Sequence, residues 1–342
     1  MEKQNRKPKA VFVVGPTALG KSAAAIEIAK KFNGVIISAD SMQIYRGLDI
    51  GTAKESPENR KNIPHELIDV VSPDEEFSVA LFKEKAFEAM RKAWASGKLP
   101  VVAGGTGLYI ESLIRPMSFA QAAKDDNIRN RLKIELEQFG AQSIYDRLIS
   151  VDEETALKLH PNDTKRVLRA LEIYEMTGKT KSQSKDEDYY MQNNAALEFE
   201  YLIFMPEIDR PLLYERINKR VDDMIECGLL NEIKKVLKAL SLIKSGLASD
   251  FDNILKWINA SEINDFSKYA GCFDYQSMQA IGYKEFKTYN GANLSEIVEL
   301  IKKNTRNYAK RQLTWFKRYK EIICFPIGEM ERVYSKIQSF LE

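Results

Sequence analysis

Eight residues near the start of the chain, GPTALGKS from Gly15 to Ser22, have the spacing of a phosphate-binding loop. Gly15 and Gly20 let backbone N–H groups turn inward around phosphate oxygens, with Pro16, Thr17, Ala18 and Leu19 forming the loop between them. Lys21 adds a point charge, and the Ser22 hydroxyl can ligate magnesium at the N-terminus of the next helix. Most loops of this kind serve hydrolysis or transfer of a terminal phosphate. The acid that such chemistry expects at the end of a later apolar strand is missing, because LPVVAGGTG closes on glycines and a threonine. The acid on offer is Asp40, at the end of GVIISAD. In a parallel sheet the C-terminal strand ends line the ligand crevice, so Asp40 is expected to face the phosphate loop and the substrate; capping a turn or helix is its competing role.

Alternating strands and helices must hold these residues. AVFVV (10–14), the loop and KSAAAIEIAKKF read as strand, turn and helix. GVIISAD (34–40) is a second strand, Ser78 an N-cap for the helix that follows it, and LPVVAGGTG a further strand ending in glycines. The pattern predicts an α/β fold, a P-loop NTPase-like parallel sheet flanked by helices. From about residue 119 the strand signal gives way to charged helical segments such as NIRNRLKIELEQFG and DTKRVLRALEIYEMTGK, and EFEYLIFMP (198–206) then reads as a late strand. The expected organisation is a first core part at 8–118, an all-helical insertion domain at 119–192, and a second core part at 193–342 ending in basic helices. Residues 241–274 read as a looser polar stretch.

Composition narrows the function classes. The 342 residues hold 51 basic and 49 acidic side chains, 51 − 49 = +2, so affinity for a polyanion must come from local clustering. One such cluster is IKKNTRNYAKRQLTWFKRYK (301–320), which has eight basic residues and no acid. Its apolar positions, Ile297, Leu300, Ile301, Tyr308, Trp315 and Tyr319, step at helical intervals, which predicts one stripe packed on the core and the charges facing outward. Two histidines make a histidine-based metal site improbable, and three widely spaced cysteines read as core thiols in a reducing compartment. No apolar run is long enough to span a bilayer, so the expected location is the cytoplasm, without membrane contact.

GPTALGKS, ISADSMQIYRGLDIGTAK, the GGTGLYI turn, HPNDTKRVLRALEIYEMTGK, SMQAIGYKE and YAKRQLTWF resemble, in order and spacing, the tRNA dimethylallyltransferases of bacterial type. The resemblance covers most of the chain. It departs at 116–126, which lack the usual proline-rich segment, and at 241–274, which are longer than in the family.

The resemblance implies transfer of a dimethylallyl group from dimethylallyl diphosphate to N6 of the adenosine just 3′ of the anticodon in tRNA, with release of diphosphate. The phosphate loop then holds a leaving group, which suits the missing acid. Asp40 matches the general base, Thr17 a residue beside the diphosphate, and Arg220 of YERINKR, in preference to Arg216, a cation that stabilises departing charge. Asp40, Ser41, Met42 and Gln43 match one tRNA-contacting segment, and Lys165, Arg166, Val167, Leu168 and Arg169 a second. Thr106 matches a residue near the reacting base; Arg129, Gln279, Lys310 and Arg311 complete the expected tRNA contacts. SMQAIGYKE itself reads as packing. The implied cofactor is Mg2+, the implied partners the anticodon stem-loop of tRNA and dimethylallyl diphosphate, and the chain is expected to act as a monomer. A P-loop nucleotide or small-molecule kinase and an RNA-binding adaptor are the rival readings.

Overall fold

The computed structural model describes residues 6–60, 62–115, 125–183 and 197–342. They fall into two compact units, Met1–Glu111 with Glu198–Glu342, and Ser112–Leu197. The expected domain boundaries at 118/119 and 192/193, and most of the 116–126 departure, lie outside the described residues.

The larger unit is built on a six-stranded sheet of order β3-β2-β4-β1-β5-β6. The strands are β1 (Lys9–Val14), β2 (Gly34–Ser38), β3 (His65–Glu66), β4 (Leu99–Gly104), β5 (Glu200–Glu207) and β6 (Ile322–Pro326), and every pairing is parallel. β1 lies between β4 and β5, with Val11 opposite both Val101 and Leu202. Alternation along the strand sends Val11 and Val13 to one face, where they pack with α1 (Lys21–Lys31) and the C-terminal helix through Ile26, Ile28, Val333 and Ile337. Phe12 points the other way, 6.2 Å ring to ring from Phe199. β3 and β6 gave no clear sequence signal: one is two residues long, and the other is an edge strand whose burial is mostly partial.

α2 (Val79–Ala95) is capped by Ser78, whose side chain accepts the Leu81 N–H at 3.2 Å. α3 (Gly107–Ile114) follows β4 directly. In the smaller unit, α4 (Asp126–Val151) is interrupted at Gly140, where φ is +79°, and α5 (Glu153–Ala156) and α6 (Thr164–Thr177) complete a small core of Leu132, Ile144, Leu148, Val167 and Leu171.

The second part of the larger unit contains α7 (Arg210–Glu226), α8 (Leu229–Lys244), α9 (Phe251–Trp257), α10 (Leu294–Phe316) and α11 (Met330–Leu341). Residues 241–274 are not a loose stretch. They finish α8, form α9 and a 3-10 turn at Ser267–Asp274, and bury Phe251, Ile254, Phe266, Cys272 and Phe273. Their apolar residues are too irregularly spaced to register as one amphipathic element. Of the cysteines only Cys272 is a buried core thiol; Cys227 is exposed and Cys324 half-buried.

The apolar stripe of α10 buries Ile297 and Ile301, but Leu300 is 42% exposed. Nor do all its charges face outward: Lys302 pairs with Asp222 at 2.8 Å and Glu299 at 3.0 Å, and Arg306 donates to Asn218 Oδ1 at 2.6 Å. These two cations fasten α10 to α7.

Candidate active site

At the C-terminal ends of β1, β2 and β4 the larger unit opens into a cavity of about 340 Å3, lined by Thr17, Lys21, Ser22, Asp40, Gln43 and Arg220 among others. This is where a parallel sheet presents its strand ends. The phosphate loop leaves β1 at Gly15, whose φ of +127° only glycine adopts without strain; an added Cβ would lie 2.9 Å from Leu19 Cδ2. Lys21 donates to the Pro16 carbonyl at 2.5 Å, closing the loop on itself.

Four basic side chains line the cavity: Lys21, Arg220, Lys284 and Arg311. Burial lowers the Lys21 amine to about 7, with the Arg220 charge adding to the effect and Asp40 opposing it. Burial also lowers Arg220, against the pull of the Asp40 and Glu55 carboxylates. Arg220 lines the cavity and Arg216 does not.

Asp40 lies two residues beyond β2. Its Oδ1 accepts the Met42 N–H at 2.9 Å, so it caps the turn and lines the cavity at once. The two roles expected as rivals coexist because a carboxylate has a second oxygen. Thr106 ties this turn to the β4 end by accepting the Ser41 N–H at 3.0 Å. Gln43 is spent on structure as well, donating to the carbonyls of Thr52 and Ala53 at 3.3 and 3.4 Å.

The far wall comes from α10 and the 3-10 turn at Ser277–Gln279: Gln279, Tyr308, Arg311 and Gln312 line the cavity. Tyr308, read from sequence as core, is pushed up to about 12, chiefly by burial, with the Asp40 charge adding. Gln312 was not singled out, although it lies inside YAKRQLTWF. Only 6% exposed, it accepts the Thr17 N–H through Oε1 at 3.1 Å and donates to the Gly105 carbonyl through Nε2 at 2.8 Å. A buried amide with both ends satisfied needs two backbone partners that no sequence pattern reveals. Lys310 faces a separate shallow groove with Arg311, Thr314, Trp315 and Arg318, where the Arg318 guanidinium stacks 4.0 Å from the Trp315 ring centre.

In the smaller unit, Arg129 and Arg169 both pair with Glu172, which is buried, at 3.0 and 2.9 Å. Arg166 pairs with Asp163 at 3.3 Å, and Lys165 is exposed. Val167 is 1% exposed, so its side chain is committed to packing and is not free for the tRNA contact expected of it, whereas Leu168 packs against the same core but is only half-buried.

Among the described residues no group of three or more His, Cys, Asp or Glu side chains could hold a metal ion. The donor set suits a magnesium ion carried by phosphate oxygens, with Ser22 at the start of α1 as a hydroxyl ligand and Asp40 in the same cavity. Chemically, the cavity offers amides, hydroxyls and basic side chains, Lys21 and Arg220 among them, for an anionic leaving group, and a carboxylate able to take a proton.

Residues 43–319 match the model of the IPP transferase family, and residues 8–71 that of isopentenyl transferases. The tRNA dimethylallyltransferase of Thermoanaerobacter pseudethanolicus is 44% identical over 324 residues, covering 93% of this chain and 92% of the relative. That of Caldanaerobacter subterraneus subsp. tengcongensis is 43% identical over 333 residues, 96% and 94% of the two chains. Among solved structures, tRNA delta(2)-isopentenylpyrophosphate transferase of Staphylococcus epidermidis aligns with a TM-score of 0.61 at 38% identity, covering 97% of this chain and 99% of that one. A eukaryotic dimethylallyltransferase acting on tRNA aligns with a TM-score of 0.76 at 29% identity, over 98% and 79%.

Proposed function

The chain belongs to the IPP transferase family, and from that premise we propose how its cavity works as that of a tRNA dimethylallyltransferase. The protein is a prenyltransferase that moves a dimethylallyl group from dimethylallyl diphosphate to tRNA and releases diphosphate. The acceptor is N6 of the adenosine 3′ to the anticodon. Its lone pair attacks C1 of the allyl group, the C1–O bond breaks with its electrons on the diphosphate oxygen, and the N6 proton passes to Asp40. An aryl amine is a weak nucleophile, so accepting that proton as the C–N bond forms lowers the barrier.

The observation that carries this reading is the meeting of Asp40 with Lys21, Arg220 and the phosphate loop around one cavity. Charge grows on the leaving diphosphate, so Lys21, Arg220, the loop amides and the Thr17 hydroxyl stabilise the transition state more than the bound substrate. Magnesium, held in part by Ser22, would neutralise diphosphate charge. The base must leave its stack to reach Asp40, at a cost of about a few kcal/mol that contacts from the turn at 40–43, Thr106 and Gln279 offset. Lys310 and Arg311 on α10, and Lys165 on α6, neutralise tRNA phosphates.

Incubation with labelled dimethylallyl diphosphate, magnesium and unmodified tRNA tests the proposal. Label should appear on tRNA that carries adenosine after the anticodon. Its absence sinks the reading, and ATP turnover under the same conditions would point to a kinase.

A further inference from the structure

Glu232 lines no part of the cavity, yet it accepts four hydrogen bonds. It lies in the first turn of α8, where the helix dipole favours an anion. Oε2 accepts the N–H groups of Asp49 and Ile50 at 2.9 and 2.8 Å; Oε1 accepts the Gly51 N–H at 3.2 Å and the Tyr283 hydroxyl at 2.6 Å. Three successive amides thus converge on one carboxylate, as they do around anions in backbone nests. Gly51 lies flush on Tyr283, itself fully buried: a Cβ there would be 2.4 Å from the Tyr283 ring. The loop therefore has almost no room to shift.

The next two residues turn this anchorage toward the cavity. The Thr52 carbonyl accepts from Arg220 Nη2 at 3.5 Å, and the Thr52 and Ala53 carbonyls accept from Gln43 Nε2. Arg220 and Gln43 both line the cavity. We propose that Glu232 is a positioning residue for the transfer reaction: by gripping the 49–51 amides it fixes the carbonyls that aim Arg220 at the leaving diphosphate and Gln43 at the tRNA-facing turn. The proposal rests on the function proposed above.

The test is a double-mutant cycle in single-turnover kinetics, with rates referred to the folded fraction measured by circular dichroism. Glu232→Gln keeps the side-chain shape but sets an NH2 group against one pair of donors. It should lower the rate about 10- to 100-fold per folded molecule, the size of effect a displaced catalytic group produces. In an Arg220→Ala background the same change should cost less than about threefold, because Glu232 acts largely through Arg220. A purely structural prop predicts a lower melting temperature with the rate per folded molecule unchanged, or equal losses in both backgrounds, and either result overturns the proposal. Should Glu232→Gln fail to fold, Glu232→Asp, which keeps the charge and withdraws it by one methylene, goes through the same cycle. An inactive wild type defeats the function proposed above, whereas an active wild type with an unaffected variant defeats the positioning role alone.

Discussion

Gln312 Oε1 accepts the backbone N–H of Thr17 at 3.1 Å, so a side chain of α10 holds the phosphate loop from outside. Its Nε2 holds the Gly105 carbonyl at the same time. Gln312→Ala strands the buried Gly105 carbonyl and the half-buried Thr17 N–H and should lower unfolding stability by about 1–3 kcal/mol in denaturant titrations. Gln312→Glu keeps an acceptor for Thr17 but sets an oxygen against the Gly105 carbonyl, so both variants should also weaken diphosphate binding. Wild-type stability and affinity in both variants would remove Gln312 from the site.

Asp40→Asn leaves an oxygen able to accept the Met42 N–H, so the turn should keep its shape while the proton acceptor is lost. Transfer should fall about 10²- to 10⁴-fold, the usual worth of a general base, with tRNA affinity nearly unchanged in filter binding. Near-normal turnover would assign the proton to another group.

Lys21, lowered to about 7, gives diphosphate binding a pH signature. Above that value the free protein's amine is neutral, and an incoming diphosphate favours its charged form, so binding should take up a proton and weaken as pH rises from about 7 to 9. Calorimetry in buffers of different ionisation enthalpy measures the uptake, and subtracting the result for Lys21→Met removes the ligand's own titration. Stability runs the other way: between about 7 and the ordinary 10.5 the unfolded chain holds a proton the folded chain has lost, so this group's share rises with pH. Identical proton uptake in the two proteins would contradict the depressed amine.

Gly104 meets backbone, with no flexible side chain in the way to yield: a Cβ there would be 2.2 Å from the Ala39 carbonyl oxygen. Because Ala39 precedes Asp40, Gly104→Ala should push the base out of place, and a displacement of about 1 Å can cost roughly 100-fold in rate. A crystal structure of the variant with Asp40 unmoved and the rate intact would refute this.

The cations of α10 should separate into two kinds. Lys310→Ala and Arg311→Ala each remove an exposed charge and should reduce the slope of log affinity for tRNA against log salt by about one. Lys302→Ala breaks pairs with Asp222 and Glu299, so it should lower stability and leave the slope alone. Equal slopes in all three variants would show that α10 does not meet the phosphate backbone.

This contrast marks how far the sequence could be read. β1, the loop and α1 are contiguous, so a local pattern was enough to place them, and the rule about strand ends brought Asp40 to the cavity. Family resemblance separated Arg220 from Arg216, which helical spacing alone could not do. Gln312 and Glu232 stayed hidden because all but one of their partners are backbone groups far along the chain, 207 and 295 residues from Gln312 and 181–183 from Glu232, and backbone groups leave no mark in a list of side chains. Lys302 and Val167 were misjudged for the related reason that composition does not show which side of a helix meets a neighbour.

The cavity wall begins at Thr17 and is closed by Gln312. During synthesis the phosphate-binding motif therefore leaves the ribosome long before the side chain that braces it has been made. A prematurely terminated product bears the signature of the enzyme without its pocket, so capture of prenyl diphosphate reports on completion of the polypeptide.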